Sequence, residues 1–450
     1  MALTGALPSL DTAKSLVARL VEAGHEAYLV GGCVRDLLRQ VEPEDYDIAT
    51  SARPEEVQKL FPRTAQIGAS FGVILVVENG RGYEVATFRT DLAYQDGRRP
   101  SEVRYATARE DVQRRDFTIN GLLLDPTTGE ITDYAGGRSD LEKGIIRAIG
   151  RPRERFAEDH LRMLRAVRFA AAFDFEIDPD TFSAIKDQAE KILLISAERI
   201  RIEMTKLLTQ GGARRGMELL EASLLLPHIL PEISELKGVE QDPVYHPEGD
   251  VWEHTLRMLA LLPSDPLAGG ADERLAWGAL LHDVGKPPTC FRDEKGIHFY
   301  GHEEKGEELA RDIMRRLRFS IEVMDSVLAL IRHHMYFLKI KQVRPAKLKR
   351  FLRLPDFPRH LELHRLDCLA SHGRLGSYDF CRDKLATLER EELYPPPLMN
   401  GGDLLEMGFP PGPEFKKMLT ALEDAQLEKR LANREDARRF ILERFGKPGG

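Results

Sequence analysis

Cysteine is scarce: four in 450 residues, at Cys33, Cys290, Cys368 and Cys381, without a CxxC pair or regular spacing. This excludes a disulfide framework and a thiolate zinc site, and predicts buried, reduced thiols. A long apolar run is also missing, and the opening MALTGALPSLDTAK lacks a basic start followed by an apolar core. No membrane span or leader is expected, and a cytoplasmic location follows. There is no excess of positive charge; the formal charge is -8. A chain that coats nucleic acid indiscriminately is thereby excluded, and any RNA contact must be confined to local basic patches. Internal repeats and low-complexity stretches are absent.

What is present is a composition of 42% hydrophobic and 31% charged residues, that of a soluble globular protein too long for one core. Over 28–149, the short β-rich runs YLVGG, GVILVVE, YEVATF and IIRAIG alternate with helical or turn segments, which predicts a small mixed α/β domain. Over 155–230 the spacing becomes helical, as in FAEDHLRMLRAVRFAAAF and SAERIRIEMTKLL. Beyond Pro243 the helical pattern continues through WEHTLRMLALL, LAWGALLHDVGK and SVLALIRHHM, now with histidines on the helices. Prolines 395–397 and the turn GFPPG set off a charged helical tail. The fold class is therefore α+β, with boundaries at 1–150, 151–235, 240–375 and 376–450.

In YLVGGCVRDLLRQVEPEDYDIAT a strand breaks at Gly31-Gly32, and a later strand is expected to carry Asp45 and Asp47. Positions i and i+2 share one strand face. Two adjacent carboxylates repel unless a cation lies between them, and hard cations such as Mg2+ prefer oxygen ligands. Two such ions about 4 Å apart activate an attacking hydroxyl and neutralise a leaving pyrophosphate, while the glycines let backbone N–H groups approach a triphosphate. Singly, GG is a turn and DxD an exposed strand edge; their order and spacing favour nucleotidyl transfer. Glu84 is a candidate third carboxylate, or otherwise a strand-edge glutamate.

The segments GGCVRDLLRQ…EDYDIATSARPEEV, RRDFTINGLLLD, DYAGGRSDLEKGIIRAIG and RFAEDHLRMLRAVRF resemble the successive motifs of class II CCA-adding enzymes and bacterial poly(A) polymerases, over about the first half of the chain. The resemblance implies a head of the DNA polymerase β superfamily, a helical neck, and Asp45 and Asp47 as Mg2+ ligands. It further implies that Gly31, Gly32, Arg35, Arg115, Asp116 and Asn120 contact the nucleotide. From the residues alone, Asp116 reads as a helix cap.

Asp159 and Arg162 are three apart and are expected on one helix face, ordinarily as an ion pair. An arginine donor beside an aspartate acceptor also matches the edges of cytosine and adenine, and opposes guanine and uracil. The resemblance assigns them to the EDxxR motif that reads the incoming base, with Arg165 one turn on. RTDLAYQDGRRPSEVRY, over 89–105, reads as a polar, mobile loop or a solvated surface loop. In the resembled family a loop here accompanies addition of the terminal A.

His254, His282-Asp283 and Asp367 follow the H…HD…D order of HD-domain phosphohydrolases, which this region resembles. Imidazole and carboxylate ligands from separate helices can hold a transition metal with open positions. His302 with His333 or His334 are candidates for a second ion. A histidine on an apolar helix is otherwise a core residue. Gly285-Lys286 lacks the spacing of a phosphate-binding loop. LKIKQVRPAKLKRFLRLP, over 338–355, holds seven Lys or Arg and no acid. It reads equally as an RNA-backbone contact or a solvated face.

The sequence thus predicts addition of CMP and AMP to tRNA from CTP and ATP with Mg2+, beside an HD unit with phosphohydrolase potential. The alternatives are an A-adding enzyme, a poly(A) polymerase, or an HD phosphohydrolase whose head only binds RNA. The oligomeric state is not legible.

Overall fold

In a computed structural model of the chain, the described residues are 9–68, 72–94, 100–263, 271–294 and 296–446. They form two compact units. One comprises Met1–Ser234, Pro263–Ala271 and Arg316–Arg318, the other Glu235–Leu262, Asp272–Arg315 and Phe319–Gly450.

The first unit opens with α1 (Leu10–Glu22), whose N-terminus is capped by Ser9 Oγ accepting from the Thr12 amide at 3.3 Å. Leu16, Val17 and Leu20 bury one face of α1. The strands β1 (Ala27–Val30), β2 (Asp47–Thr50), β3 (Thr64–Gly68), β4 (Val73–Glu78), β5 (Arg81–Thr87), β8 (Leu122–Leu124) and β9 (Ile131–Asp133) form a sheet of order β3-β4-β5-β2-β1-β8-β9. Only β2 and β5 run parallel; the other neighbours are antiparallel. Strand alternation sends Leu29, Ile48 and Val85 into a core with α1 and α3 (Pro54–Leu60). Val30, Ala49 and Leu123 face the opposite side, with Phe88, Val112 and Ile149. Asp47 opposes Val30, so it shares that second face with Ala49.

Two expectations change here. Asp45 precedes β2, which begins at Asp47. Segment 89–105 is a separate hairpin of β6 (Arg89–Tyr94) and β7 (Pro100–Tyr105), not an irregular loop; its tip, 95–99, lies outside the described residues. IIRAIG supplies only the two-residue β10 (Ile145–Ile146), which pairs in parallel with β11 (Glu176–Ile177).

The remainder of this unit is mostly helical, including α6 (Pro152–Glu158), α7 (Leu161–Phe173) and, further on, the helix Ala197–Thr209. Pro152 starts α6, and Asp159 ends it in an extended conformation (φ -149°, ψ 104°).

In the second unit, Asp250 caps the helix Val251–Ala260 and Asp272 caps Glu273–Leu281, accepting from the Glu253 and Leu275 amides at 2.8 and 2.9 Å. His302–Arg316, Ile321–His333 and Phe357–Ala370 supply further histidines. Gly285 is required for their packing, since a Cβ there would lie 2.1 Å from the His302 carbonyl oxygen.

The basic stretch 338–355 follows neither expectation throughout. Lys349 donates to the Leu427 carbonyl (3.0 Å), Arg350 to Glu423 (2.6 Å), and Arg353 to Glu423 (2.8 Å). Three of the seven basic residues thus anchor the helix Pro413–Leu427. Lys339, Lys341, Arg344 and Lys347 stay exposed. The tail has its own small core of Met399, Leu404, Phe409, Met418, Leu422 and Ile441. Of the thiols, Cys290 is exposed, and the other three are buried as expected.

Candidate functional site

The parallel register Ile48↔Val85 sets Glu84, in the middle of β5, beside Asp47 at the start of β2, so three carboxylates gather there. Burial pushes Asp47 up to about 7, with repulsion from Asp45 and Glu84 adding to the rise and Arg115 opposing it. Such a cluster attracts a divalent cation, which replaces the repulsion with ligation. Gly31 turns the chain from β1 into α2 (Gly32–Leu38) at φ 75°, ψ -135°, a region reserved for glycine. A Cβ at Gly31 would lie 3.4 Å from Arg115 Nη1 and 3.7 Å from Asp47 Oδ2. The turn therefore leaves open the space where cation, carboxylate and backbone converge.

Arg115 is held by Asp111, Nη2 to Oδ2 at 3.0 Å. Asp116 Oδ1 accepts from the Phe117 amide (2.8 Å) and from Asn120 Nδ2 (3.0 Å), and its Oδ2 accepts from Arg165 Nη2 (2.7 Å). Burial alone would raise Asp116; Arg165 and the bond from Asn120 bring it instead to about 2. Asn120 Oδ1 accepts from Arg35 Nη1 at 2.8 Å. The chain Arg35–Asn120–Asp116–Arg165 thus links α2 to α7. Arg35 is buried, pairs also with Asp36, and lies over the Phe173 ring at 4.6 Å. Its guanidinium braces the site.

Asp159 and Arg162 are not paired, because the helix breaks between them. Asp159 Oδ2 accepts from Arg199 Nη2 at 2.6 Å, and its Oδ1 from the Leu161 amide at 3.1 Å. Arg162 donates to Glu158 (2.7 Å) and to the carbonyls of Arg155 (3.1 Å) and Arg114 (2.9 Å). Each side chain is thereby fixed by a different partner. Sequence reasoning missed Arg199, because a contact between residues 40 apart leaves no spacing to read, and passed over Glu158, although it stands four residues before Arg162.

In the second unit the four residues of the H…HD…D order meet. Asp283 is central: its Oδ2 lies 3.1 Å from His282 Nε2 and 3.9 Å from His254 Nε2, and its Oδ1 lies 3.5 Å from His302 Nε2 and 3.8 Å from His334 Nε2. Asp367 Oδ1 is 3.3 Å from His254 Nε2. The sequence left His333 and His334 open. The structure brings in His334, while His333 lies at the end of its helix, its ring against Phe351 and His360.

All four imidazoles are held by Nδ1. His282, His302 and His334 approach the carbonyls of Ala279, Phe299 and Ile331 at 3.0, 2.8 and 2.6 Å, and His254 approaches Glu248 Oε1 at 2.6 Å. Every Nε2 atom is thus directed inward. Those of His254 and His282 are buried without a hydrogen-bond partner. Burial, with His302 and His282 nearby, pushes His334 down to about 3, toward the neutral form a metal ligand takes. His254, despite its burial, is raised to about 9 by Asp367 and Glu248, so a bound metal would displace a proton from it. The donor set fits a divalent metal. Lys286 bonds to Asp283 Oδ2 (2.7 Å) and Gln241 Oε1 (2.6 Å). Gln241, His246 and Glu248 escaped the sequence reading; the only signal was HPEGD just ahead of His254.

Comparison with known proteins accords with this geometry. Residues 27–147 match the family described as "Poly A polymerase head domain", 174–237 "Probable RNA and SrmB- binding site of polymerase A", and 251–370 "HD domain". A CCA-adding enzyme of Streptococcus sanguinis is 36% identical over 434 residues, covering 95% of this chain and 96% of the relative. One of Limosilactobacillus fermentum is 32% identical, over 94% of each chain. The crystal structure of the Bacillus stearothermophilus CCA-adding enzyme in complex with CTP matches with a TM-score of 0.74 and 30% identity, over 98% of both chains. On its paired-carboxylate head, and on similarity that spans nearly the whole chain, this protein belongs to the family of CCA-adding enzymes.

Proposed function

We propose that this protein adds CMP and AMP to tRNA 3′ ends, using CTP and ATP and no nucleic-acid template, and that it acts in the cytoplasm. The observation that carries this is the meeting of Asp45, Asp47 and Glu84 with the Gly31 turn and Arg115, a site braced through Asp116 and Arg165 by the helix that follows the base-reading motif. Asp45, Asp47 and Glu84 would hold Mg2+. When bound, the ions lower the pKa of the RNA 3′ hydroxyl and stabilise the charge on the leaving pyrophosphate. Gly31 and Gly32 admit the triphosphate to the backbone, and Arg115 supplies positive charge beside it.

Asp159 offers an acceptor to the exocyclic amine of cytosine or adenine, and Arg162 a donor to the ring nitrogen. Arg162's three bonds within the protein leave two of its five donors for this task. Guanine and uracil present the opposite polarity and are refused. The test is incubation with tRNAs ending before CCA, after the first C and after both, each with CTP, ATP or the pair. Correct CCA completion supports the reading. Addition of A alone, or of long A tails, would replace it with the narrower or the polymerising activity.

In the second unit, His254, His282, Asp283 and Asp367 would hold one divalent ion, and Asp283, His302 and His334 a second. When bound, such ions generate a hydroxide nucleophile for phosphoester hydrolysis. The inward Nε2 atoms support this reading, and an end-repairing transferase gives it a substrate class, phosphorylated RNA ends. Phosphate release from 3′-phosphorylated RNA that disappears in His282→Ala tests it; equal release by that variant would sink it.

A further inference from the structure

We infer that Glu248, upstream of the matched HD segment, is the positioning residue that sets how strongly His254 binds metal. The inference rests on the metal reading of the second unit. Three of the four inward imidazoles lean on backbone carbonyls three residues earlier in the chain, neutral acceptors that any sequence would supply. His254 Nδ1 sits against a carboxylate at hydrogen-bond distance, 2.6 Å, whereas the one carboxylate near another of these Nδ1 atoms, Glu303 beside His302, stands off at 3.6 Å. The residue three before it, Val251, instead accepts at its carbonyl from Thr255 Oγ1. Both Glu248 and His254 have wholly buried side chains, so water does not dilute the contact.

A carboxylate on Nδ1–H fixes the tautomer, orients the ring and makes Nε2 a stronger donor to a cation. His246 Nδ1 meets the same Glu248 oxygen at 2.9 Å, while Oε2 is buried without a hydrogen-bond partner. The negative charge of Glu248 is therefore directed at two imidazoles, and His254 is the one whose far nitrogen faces Asp283 and Asp367. A loop holds Glu248 in place, its start tied to the start of the following helix: the Gly238 amide donates to Asp250 Oδ2 (2.7 Å), and the Val251 amide to the Val239 carbonyl (3.0 Å). The same loop carries Gln241 to Lys286.

The experiment titrates full-length, metal-stripped protein with Co2+, read by its visible spectrum. The Asp47→Ala background keeps the head's carboxylates from contributing. Glu248→Gln, which keeps the shape and a neutral acceptor, should weaken Co2+ binding about 10- to 100-fold with the number of bound ions unchanged. Glu248→Ala should weaken it at least as much, and thermal unfolding without metal checks that each variant folds. Wild-type affinity in a folded Glu248→Gln protein overturns the inference. So does loss of one whole ion equivalent with the rest unaffected, which would make Glu248 a ligand in its own right, together with His246. Failure of the underlying metal reading looks different: no Co2+ spectrum arises even with Glu248 intact.

Discussion

Asp116 shows how one side chain joins stability to chemistry. Its carboxylate gathers the Phe117 amide, Asn120 and Arg165, and is held at about 2 against an ordinary value of 3.8. A depressed carboxylate stabilises the fold fully above its unfolded value and loses that contribution as pH falls through the folded one. About 2 kcal/mol should therefore disappear between roughly pH 4 and pH 2. Acid unfolding of wild type and Asp116→Asn, compared by circular dichroism, should show a wild-type slope steeper by this one group's share, the other depressed carboxylates such as Glu248 contributing to both proteins. Asp47→Ala should abolish CMP and AMP incorporation while leaving hydrolysis by the second unit intact, since the two sites use separate residues. Parallel loss of both activities would contradict that separation. For the proposed base-reading pair, Asp159→Ala or Arg162→Ala should relax the choice among four nucleotides more than it raises KM. Competition assays with all four triphosphates measure this, and unchanged selectivity would remove the template role.

Among elements, turns and breaks matter more than regular segments. Gly31 occupies backbone space that other residues enter only at a cost of about 1–3 kcal/mol. Gly31→Ala should thus lower stability by that order in urea unfolding and raise KM for both CTP and ATP, because its Cβ would stand between Arg115 and Asp47. The break at Asp159 is equally consequential. Were α6 and α7 one helix, Asp159 and Arg162 would neutralise each other; the extended residue sends the aspartate to Arg199 and leaves the arginine with Glu158. Helical spacing in EDHLR pointed to a continuous helix, and no local feature of the sequence marks the interruption. The strands of YLV and YEVAT, by contrast, were legible from β-branched and aromatic content, and the pairing of β5 with β2 then aligned Glu84 with Asp47.

At the scale of the whole molecule, the two units present two candidate metal-binding donor sets of different chemistry. Oxygen ligands at the head suit Mg2+, and the imidazole-rich set of the second unit suits a transition metal. Chelation should silence both activities. Mg2+ should restore nucleotidyl transfer, whereas hydrolysis should respond best to a transition ion such as Co2+ or Ni2+. Restoration of hydrolysis by Mg2+ alone, measured on the same preparation, would count against the nitrogen-rich site. Among the described residues no helix is long and apolar enough to cross a membrane.

The sequence by itself determined the α+β class, the ordered motifs and the residues able to bind metal, because periodicity and short spacings are local properties of a chain. Only the tertiary structure decided that His334 rather than His333 faces Asp283, that three of the seven basic residues in 338–355 anchor the tail, and that Arg199, Glu248 and Gln241 support the two sites. Those choices rest on contacts between residues distant in sequence or on the rotation of a helix end, and neither is encoded in any window short enough to read.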